Sequence, residues 1–220
     1  MHRRTLTLGV CSLLAGCAGA GGDAGTPTDA PPIRATAAPA TLAPAAREAT
    51  GYAEERADSP PLNTSVTAHI EGDVTLQTTR EVRATTARRV YVRSTPHGPA
   101  VVGLHSIPGV QPFENADLEK NPAVGIDPAE RIARAQSVYT DPRDLSTAAE
   151  RSVTLLGVET TLARYRGTAT TRADDADHAV AAAVGTVSHA GDYVTVVVVT
   201  PRDRDAPLAR LLDGVRHGEK

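Results

Sequence analysis

The sequence predicts an α+β fold: a largely antiparallel sheet of about six or seven strands with about three helices packed on it. Three observations carry that expectation. Apolar residues alternate with polar ones in short runs, as at Val66, Ala68, Ile70 and then Val74, Leu76 around Glu71-Gly72-Asp73, which is the pattern of antiparallel hairpins. Val194 and Val196 to Val199 are apolar without alternation, marking a central strand covered on both faces. Two later stretches carry helix-start residues and helical spacing instead, one from Asp127 and one over about 206–216.

Taken in order, the chain starts with His2-Arg3-Arg4, a short apolar run from Leu6 to Ala15, and Leu14-Ala15-Gly16-Cys17. That is the layout of an export signal. Leu13 to Cys17 resembles a lipoprotein signal, in which small residues admit the peptidase and the thiol takes a lipid. Residues 1–17 therefore read as a signal with Cys17 as the lipid-attachment site and mature N-terminus. Two lipid chains anchor a protein stably where one does not. Cleavage at Ala18-Gly19-Ala20, giving a freely secreted protein, is the competing reading. The apolar run is well short of the ~20 residues that span a bilayer. Arg3-Arg4-Thr5-Leu6 also resembles a twin-arginine signal, so both the Sec and the Tat route stay open.

Residues 18–39 are rich in Ala, Gly, Pro and Thr with almost no large apolar side chain. They predict a flexible tether, because little buried surface is available to offset the entropy of ordering. A single domain is expected over 40–220. Cys11 and Cys17 are the only cysteines, so that domain is expected to rest on one hydrophobic core without a disulfide.

Its first element is a helix over about 42–50, with Thr41 as cap, Pro44 in the first turn and Gly51 as the left-handed stop. The 66–76 hairpin follows a polar loop with Pro60-Pro61, and strands are expected at Val90 to Val92 and Ala100 to Leu104. Asp127-Pro128-Ala129-Glu130 reads as a capping box, opening a helix with Ile132, Ala135 and Tyr139 on one face that Asp141-Pro142 ends. Two hairpins come next, 152–166 turning near Gly157 and 179–200 turning at Ala190-Gly191-Asp192. The last helix, capped by Asp203 or Asp205, aligns Leu208, Leu211, Leu212 and Val215 against the sheet.

Of the 23 basic residues only Lys120 and Lys220 are lysine, and there is no Trp, one Phe and one Met. The formal net charge of -3 becomes more negative once Arg3 and Arg4 are removed, which argues against nucleic acid as a partner. Arginine abundance and lysine scarcity fit a GC-rich genome.

Catalytic and metal chemistry lack a motif. Asp174, Asp175, Asp177 and His178 cluster in one loop without EF-hand spacing, and read as a solvated acidic loop. His69, His97, His105, His189 and His217 are scattered with no zinc-type pair. No Gly-x-Ser-x-Gly elbow and no phosphate-binding glycine loop between strand and helix is present. No catalytic residue, metal ligand or cofactor is therefore expected. Arg80, Arg83, Arg88, Arg89 and Arg93 with Tyr91 form the densest basic patch, either a surface for an acidic polymer or sugar or the wet face of a strand paired with Glu81. Asn63-Thr64-Ser65 is an acceptor sequon for N-linked sugar in a polar loop.

By analogy of fold alone, two strands, a Val-rich strand and a closing helix look like the α/β/α sandwiches of the PsbP and Mog1 type, an analogy that carries no function. The signal, Gly51-Tyr52, Asn121-Pro122, Leu156-Gly157-Val158-Glu159-Thr160 and Leu211 to His217 together resemble a haloarchaeal lipoprotein family of unknown function, domain of unknown function 6517. The resemblance implies a surface-anchored domain with no assigned activity, on the outer face of the cytoplasmic membrane. The expected function is non-catalytic binding of an envelope protein or small ligand. An envelope hydrolase built from distant Ser, His and Asp, or a carrier of lipid or another apolar ligand, is the alternative.

Overall fold

A computed structural model of the protein describes residues 30–70, 76–113, 119–202 and 206–218. The chain runs through β1 (Ile33–Thr36), β2 (Ala40–Leu42), α1 (Pro44–Thr50), β3 (Ala53–Asp58), β4 (Pro61–Ile70), β5 (Leu76–Thr85), β6 (Ala87–Arg93) and β7 (Ala100–Pro108). It continues through α2 (Pro128–Ala135), β8 (Tyr139–Leu155), β9 (Val158–Thr171), β10 (Asp177–His189), β11 (Asp192–Pro201), α3 (Leu208–Asp213) and β12 (Val215–His217).

Seven strands make one antiparallel sheet in the order β3-β6-β7-β11-β10-β9-β8. The Val-rich strand β11 stands fourth of the seven, central as its sequence predicts. Its side chains divide between two cores. Val194, Val196 and Val198 join Val102, Leu104 and Leu162 on one face, closed over by Leu42, Leu211, Leu212 and Val215. Val197 and Val199 join Val90, Val101 and Val180 on the other, closed over by Ile132 and Ala135 of α2. The result is three layers, with α1, α3 and the small β2–β12 ladder on one side of the sheet and α2 on the other.

The turns follow their residues. Leu156 and Gly157 between β8 and β9, and Ala190 and Gly191 between β10 and β11, all take positive φ, the pairwise left-handed geometry of two-residue hairpin turns. Gly51 ends α1 at φ 73.

Several expectations are corrected. The first hairpin, β4 with β5, is not part of the main sheet. It forms a separate three-stranded sheet in which β1 runs parallel to β5. Leu62, Val66, Val82 and Ala84 gain their burial against Ile107, Val110 and Ala123 in a third core cluster. β1 lies inside the stretch expected to be tether, because Ile33 and Ala35 pack on that cluster. Thr41 belongs to β2 and leaves α1 without a side-chain cap. The second helix starts as expected, Asp127 Oδ1 accepting from Glu130 N at 2.8 Å, but it stops at Ala135 and Tyr139 opens β8. Buried Gln136 ends it: its Oε1 accepts from the backbone N–H groups of Val138 and Tyr139, and its Nε2 donates to Tyr139 O. Glu130 pairs with Arg134 instead of closing the capping box. Helix α3 is limited to 208–213, and the expected caps Asp203 and Asp205 lie outside the described residues.

Helix α2 meets the sheet at Gly103 of β7, where an added Cβ would lie 2.3 Å from Ala135 O. Backbone on both sides leaves nothing soft to yield. Gly103→Ala is expected to destabilise the domain by about 3 kcal/mol, read as a lowered urea midpoint with an unchanged slope.

Candidate functional site

A cleft of about 530 Å³ opens where β11 and β10 have their Pro201 and Asp177 ends, lined by Arg56, Val92, Thr95, Ser137, Val138 and Arg172 among others. Three connections build it. The β6–β7 loop is pinned by Thr95 Oγ1 donating to Gly98 O at 2.6 Å, with Gly98 at φ 115, a conformation that favours glycine, and a Cβ there would press on His178 Nδ1 at 3.3 Å. Tyr139 donates from its hydroxyl to Pro99 O at 2.7 Å, tying β8 to that loop. Arg172 N donates to Val138 O at 2.9 Å, tying the β9–β10 loop to the end of α2. Burial, with Asp174 adding to it, pushes the Tyr139 phenol up to about 12, so this tie stays a neutral donor.

The walls carry hydroxyls from Ser94, Thr95 and Ser137, the guanidinium groups of Arg56 and Arg172, and the carboxylate of Glu55 over apolar Val92 and Val138. Arg56 has only a 3.4 Å exposed contact to Asp58, a pair worth little. No described acceptor engages the Arg172 guanidinium. With the Thr95 hydroxyl already given to Gly98 O, the Arg56 and Arg172 guanidinium groups and the Ser94 and Ser137 hydroxyls are the donors of this lining, and such donors over an apolar floor suit a small anion.

The acidic loop beside the cleft is occupied by the protein's own donors. Asp177 accepts from Arg143 and Thr170, which hold it below the usual carboxylate range. Asp174 is lowered likewise by Thr171 and the Ala176 N–H. Among the described residues no group of three or more His, Asp or Glu side chains is placed to hold a metal ion.

The arginine patch does not exist as one surface. Arg80 and Arg83 sit on β5 in the small sheet, while Arg88, Arg89 and Arg93 sit on β6. Arg83 meets Glu81 at 3.4 Å, Arg88 makes a two-pronged bond to Asp58, and Arg93 lies 5.1 Å over the Tyr52 ring. Tyr91 is buried and its hydroxyl accepts from Leu42 N. Asn63 is exposed, but on the edge strand β4 rather than in a loop. Cys17 lies outside the described residues.

Two histidine sites escape sequence reasoning. His189 and Asp192 are cross-strand partners flanking the β10–β11 turn, and His217 of β12 joins them. His217 Nε2 is 3.2 Å from Asp192 Oδ2, and the two histidine Nδ1 atoms are 3.1 Å apart. The spacing His-Ala-Gly-Asp around a two-residue turn is the signal that pairs the first two, whereas nothing local points to His217. The second site is buried His105 on β7. Thr86 donates its hydroxyl to Pro60 O at 2.9 Å and so accepts from His105 Nε2 at 3.0 Å, fixing a neutral tautomer.

Desolvation, with Arg88 and Arg134 nearby, lowers His105 from 6.5 to about 4. The unfolded chain therefore takes up this proton first. Stability from His105 is whole above pH 6.5 and falls as the pH drops towards 4, by on the order of 3 kcal/mol. Asp58, lowered by Arg88, loses its contribution only below that window. In His105→Leu the stability measured by denaturant titration is expected to stay flatter between pH 6.5 and 4.

No helix among the described residues is long and apolar enough to cross a membrane. No curated protein and no solved structure matches the chain significantly. One family model does, over residues 39–216, from β2 and its lead-in through β12, and the protein thus belongs to the family described as Domain of unknown function (DUF6517).

Proposed function

We propose that the protein is an exported lipoprotein, held by lipid on Cys17 at the outer face of the cytoplasmic membrane, whose domain binds a small anion in the cleft between β3, the β6–β7 loop and the β9–β10 loop. The observation that carries the binding reading is the pair of guanidinium groups, Arg56 and Arg172, over the apolar floor of Val92 and Val138. Three loops fixed by hydrogen bonds line that site before any ligand arrives, which lowers the entropic cost of binding. The role of this cleft is recognition without turnover: it offers donors and charge, with its tyrosine tie kept protonated by burial.

The anchor rests on Leu13 to Cys17 and the basic start before it. A surface location also suits Asn63, an exposed side chain on an edge strand within the sequon Asn63-Thr64-Ser65, as a glycan acceptor. The haloarchaeal origin and the likeness to PsbP and Mog1 sandwiches belong to the same reading; the layering of helices on both sheet faces supports the second.

Intact mass of the membrane-extracted protein is expected to start at Cys17 with added lipid, and Cys17→Ser to leave the membrane fraction or stay unprocessed. A mature chain starting after Ala20 without lipid would overturn the anchor. For the cleft, sulfate, phosphate and citrate are the probes. At 100 times its Kd a ligand raises stability by about 2.7 kcal/mol, seen as a thermal shift that Arg172→Ala removes. No shift with any probe would overturn the anion reading.

A further inference from the structure

The other end of the central strand carries a second arrangement, independent of the cleft and of the anchor. Asp192 at the start of β11 is wholly buried, and so is the side chain of His217. Asp192 Oδ2 accepts from Ala38 N at 2.8 Å. His217 Nε2 lies 3.2 Å from both Asp192 Oδ2 and Ala38 O. Both neighbours only accept, so His217 Nε2 must carry hydrogen. In the neutral ring His217 Nδ1 is then a bare acceptor, and His189 Nδ1, 3.1 Å away, must donate to it. The rings meet edge to face, centroids 5.3 Å apart. The chain of bonds leaves one nitrogen unassigned, His189 Nε2, and leaves it with a lone pair.

His189 and His217 line a pocket of about 380 Å³ between the β8–β9 turn and the α3–β12 junction, walled by Leu156, Leu212 and Val215. Asp213 and Arg216 stand on the same lining with opposite charges. Arg216 Nη1 donates to Asp213 O and Val215 O, which holds the rest of its guanidinium beside the pocket. These two, with Asp192 and His217, are the charged and titratable groups around His189; the β8–β9 turn contributes only neutral Leu156 and Gly157.

The geometry points to an acid–base site in which His189 Nε2, oriented by His217 and Asp192, activates water against the acyl carbon of a small uncharged ester. Water oxygen bonds to the carbonyl carbon as its proton passes to His189 Nε2. The ester C–O bond then breaks, and the leaving alkoxide takes that proton from His189, releasing acid and alcohol with no redox change. Between these steps the positive charge can move inward: His189 Nδ1 passes its proton to His217 Nδ1, placing the imidazolium beside the Asp192 carboxylate, and takes it back as His189 Nε2 gives its proton to the leaving alkoxide, so both rings end neutral. Arg216 faces the developing oxyanion, and apolar walls with balanced charges favour an uncharged substrate.

A purely mechanical clamp on Ala38 requires Asp192 and His217 but not His189, and this separates the alternatives. The test uses the detergent-extracted full chain with p-nitrophenyl acetate and butyrate against a free-imidazole control. The expected result is turnover above the control, rising with pH through one ionisation, and lowered roughly 100-fold in His189→Gln with the melting temperature unchanged. Asp192→Asn and His217→Gln are expected to lower kcat as well; should they fail to fold, His189→Gln alone decides. Absence of turnover above imidazole, turnover or pH profile surviving His189→Gln, or nitrogen-15 spectra placing the neutral His189 proton on Nε2 would each overturn the proposal.

Discussion

The structure depends on burying one strand completely. From Val194 to Thr200 every side chain of β11 is buried, so both faces of the main sheet must be covered and both neighbours must be apolar as well. The neighbour β7 is buried along its whole length. With a single Phe and no Trp, the chain does this through many small contacts. Each valine fully withdrawn from water contributes about 1.5 to 3 kcal/mol, and close packing rather than large rings fills the layers. The approach of α2 to Gly103 and of α1 to Gly214, where an added Cβ would lie 2.3 Å from Ala46 Cβ, shows how far that economy of volume is carried.

A core of this kind leaves little tolerance for polar groups, and several of those it contains are held by specific partners. Gln136 satisfies three backbone groups at the end of α2. His105 is neutral and bonded to Thr86. Ala38 N–H and His217 both meet the buried Asp192 carboxylate, since an unpaired buried charge is far more costly. The same bonds join residues 154 and 179 positions apart, fastening the start of the domain to its end.

The two candidate sites lie at opposite ends of β11 and differ in chemistry for that reason. At the Pro201 end, loops 94–99, 137–138 and 172–173 meet and supply exposed donors on a stitched frame, a surface for recognition. At the Asp192 end, β12 folds over a hairpin turn and encloses ionisable groups in apolar surroundings, where proton position is fixed by the fold. Membership in a family of unknown function leaves each to be judged on its own residues.

Local pattern by itself determined the hairpins, the central strand, the helix start at Asp127 and the placing of Leu208, Leu211 and Leu212 on the last helix, because alternation, turn residues and caps act over a few neighbouring positions. Val215 of the expected stripe falls on β12 instead. It also fixed the α+β class and the coverage of β11 on both faces. It could not say which strands join: the alternation of Val66, Ala68 and their partners is the same whether the hairpin extends the main sheet or forms its own, and only packing against Ile107, Val110 and Ala123 decides. The ends of α1 and α2 were likewise set by tertiary demands, Thr41 being taken into β2 and Gln136 turning the chain into β8. The functional constellations depended on the fold most of all. Arg56 and Arg172, or His189 and His217, are unrelated in sequence, and come together because strand order brings distant loops to the same end of the sheet, where hydrogen bonds and charge can act over a few ångströms.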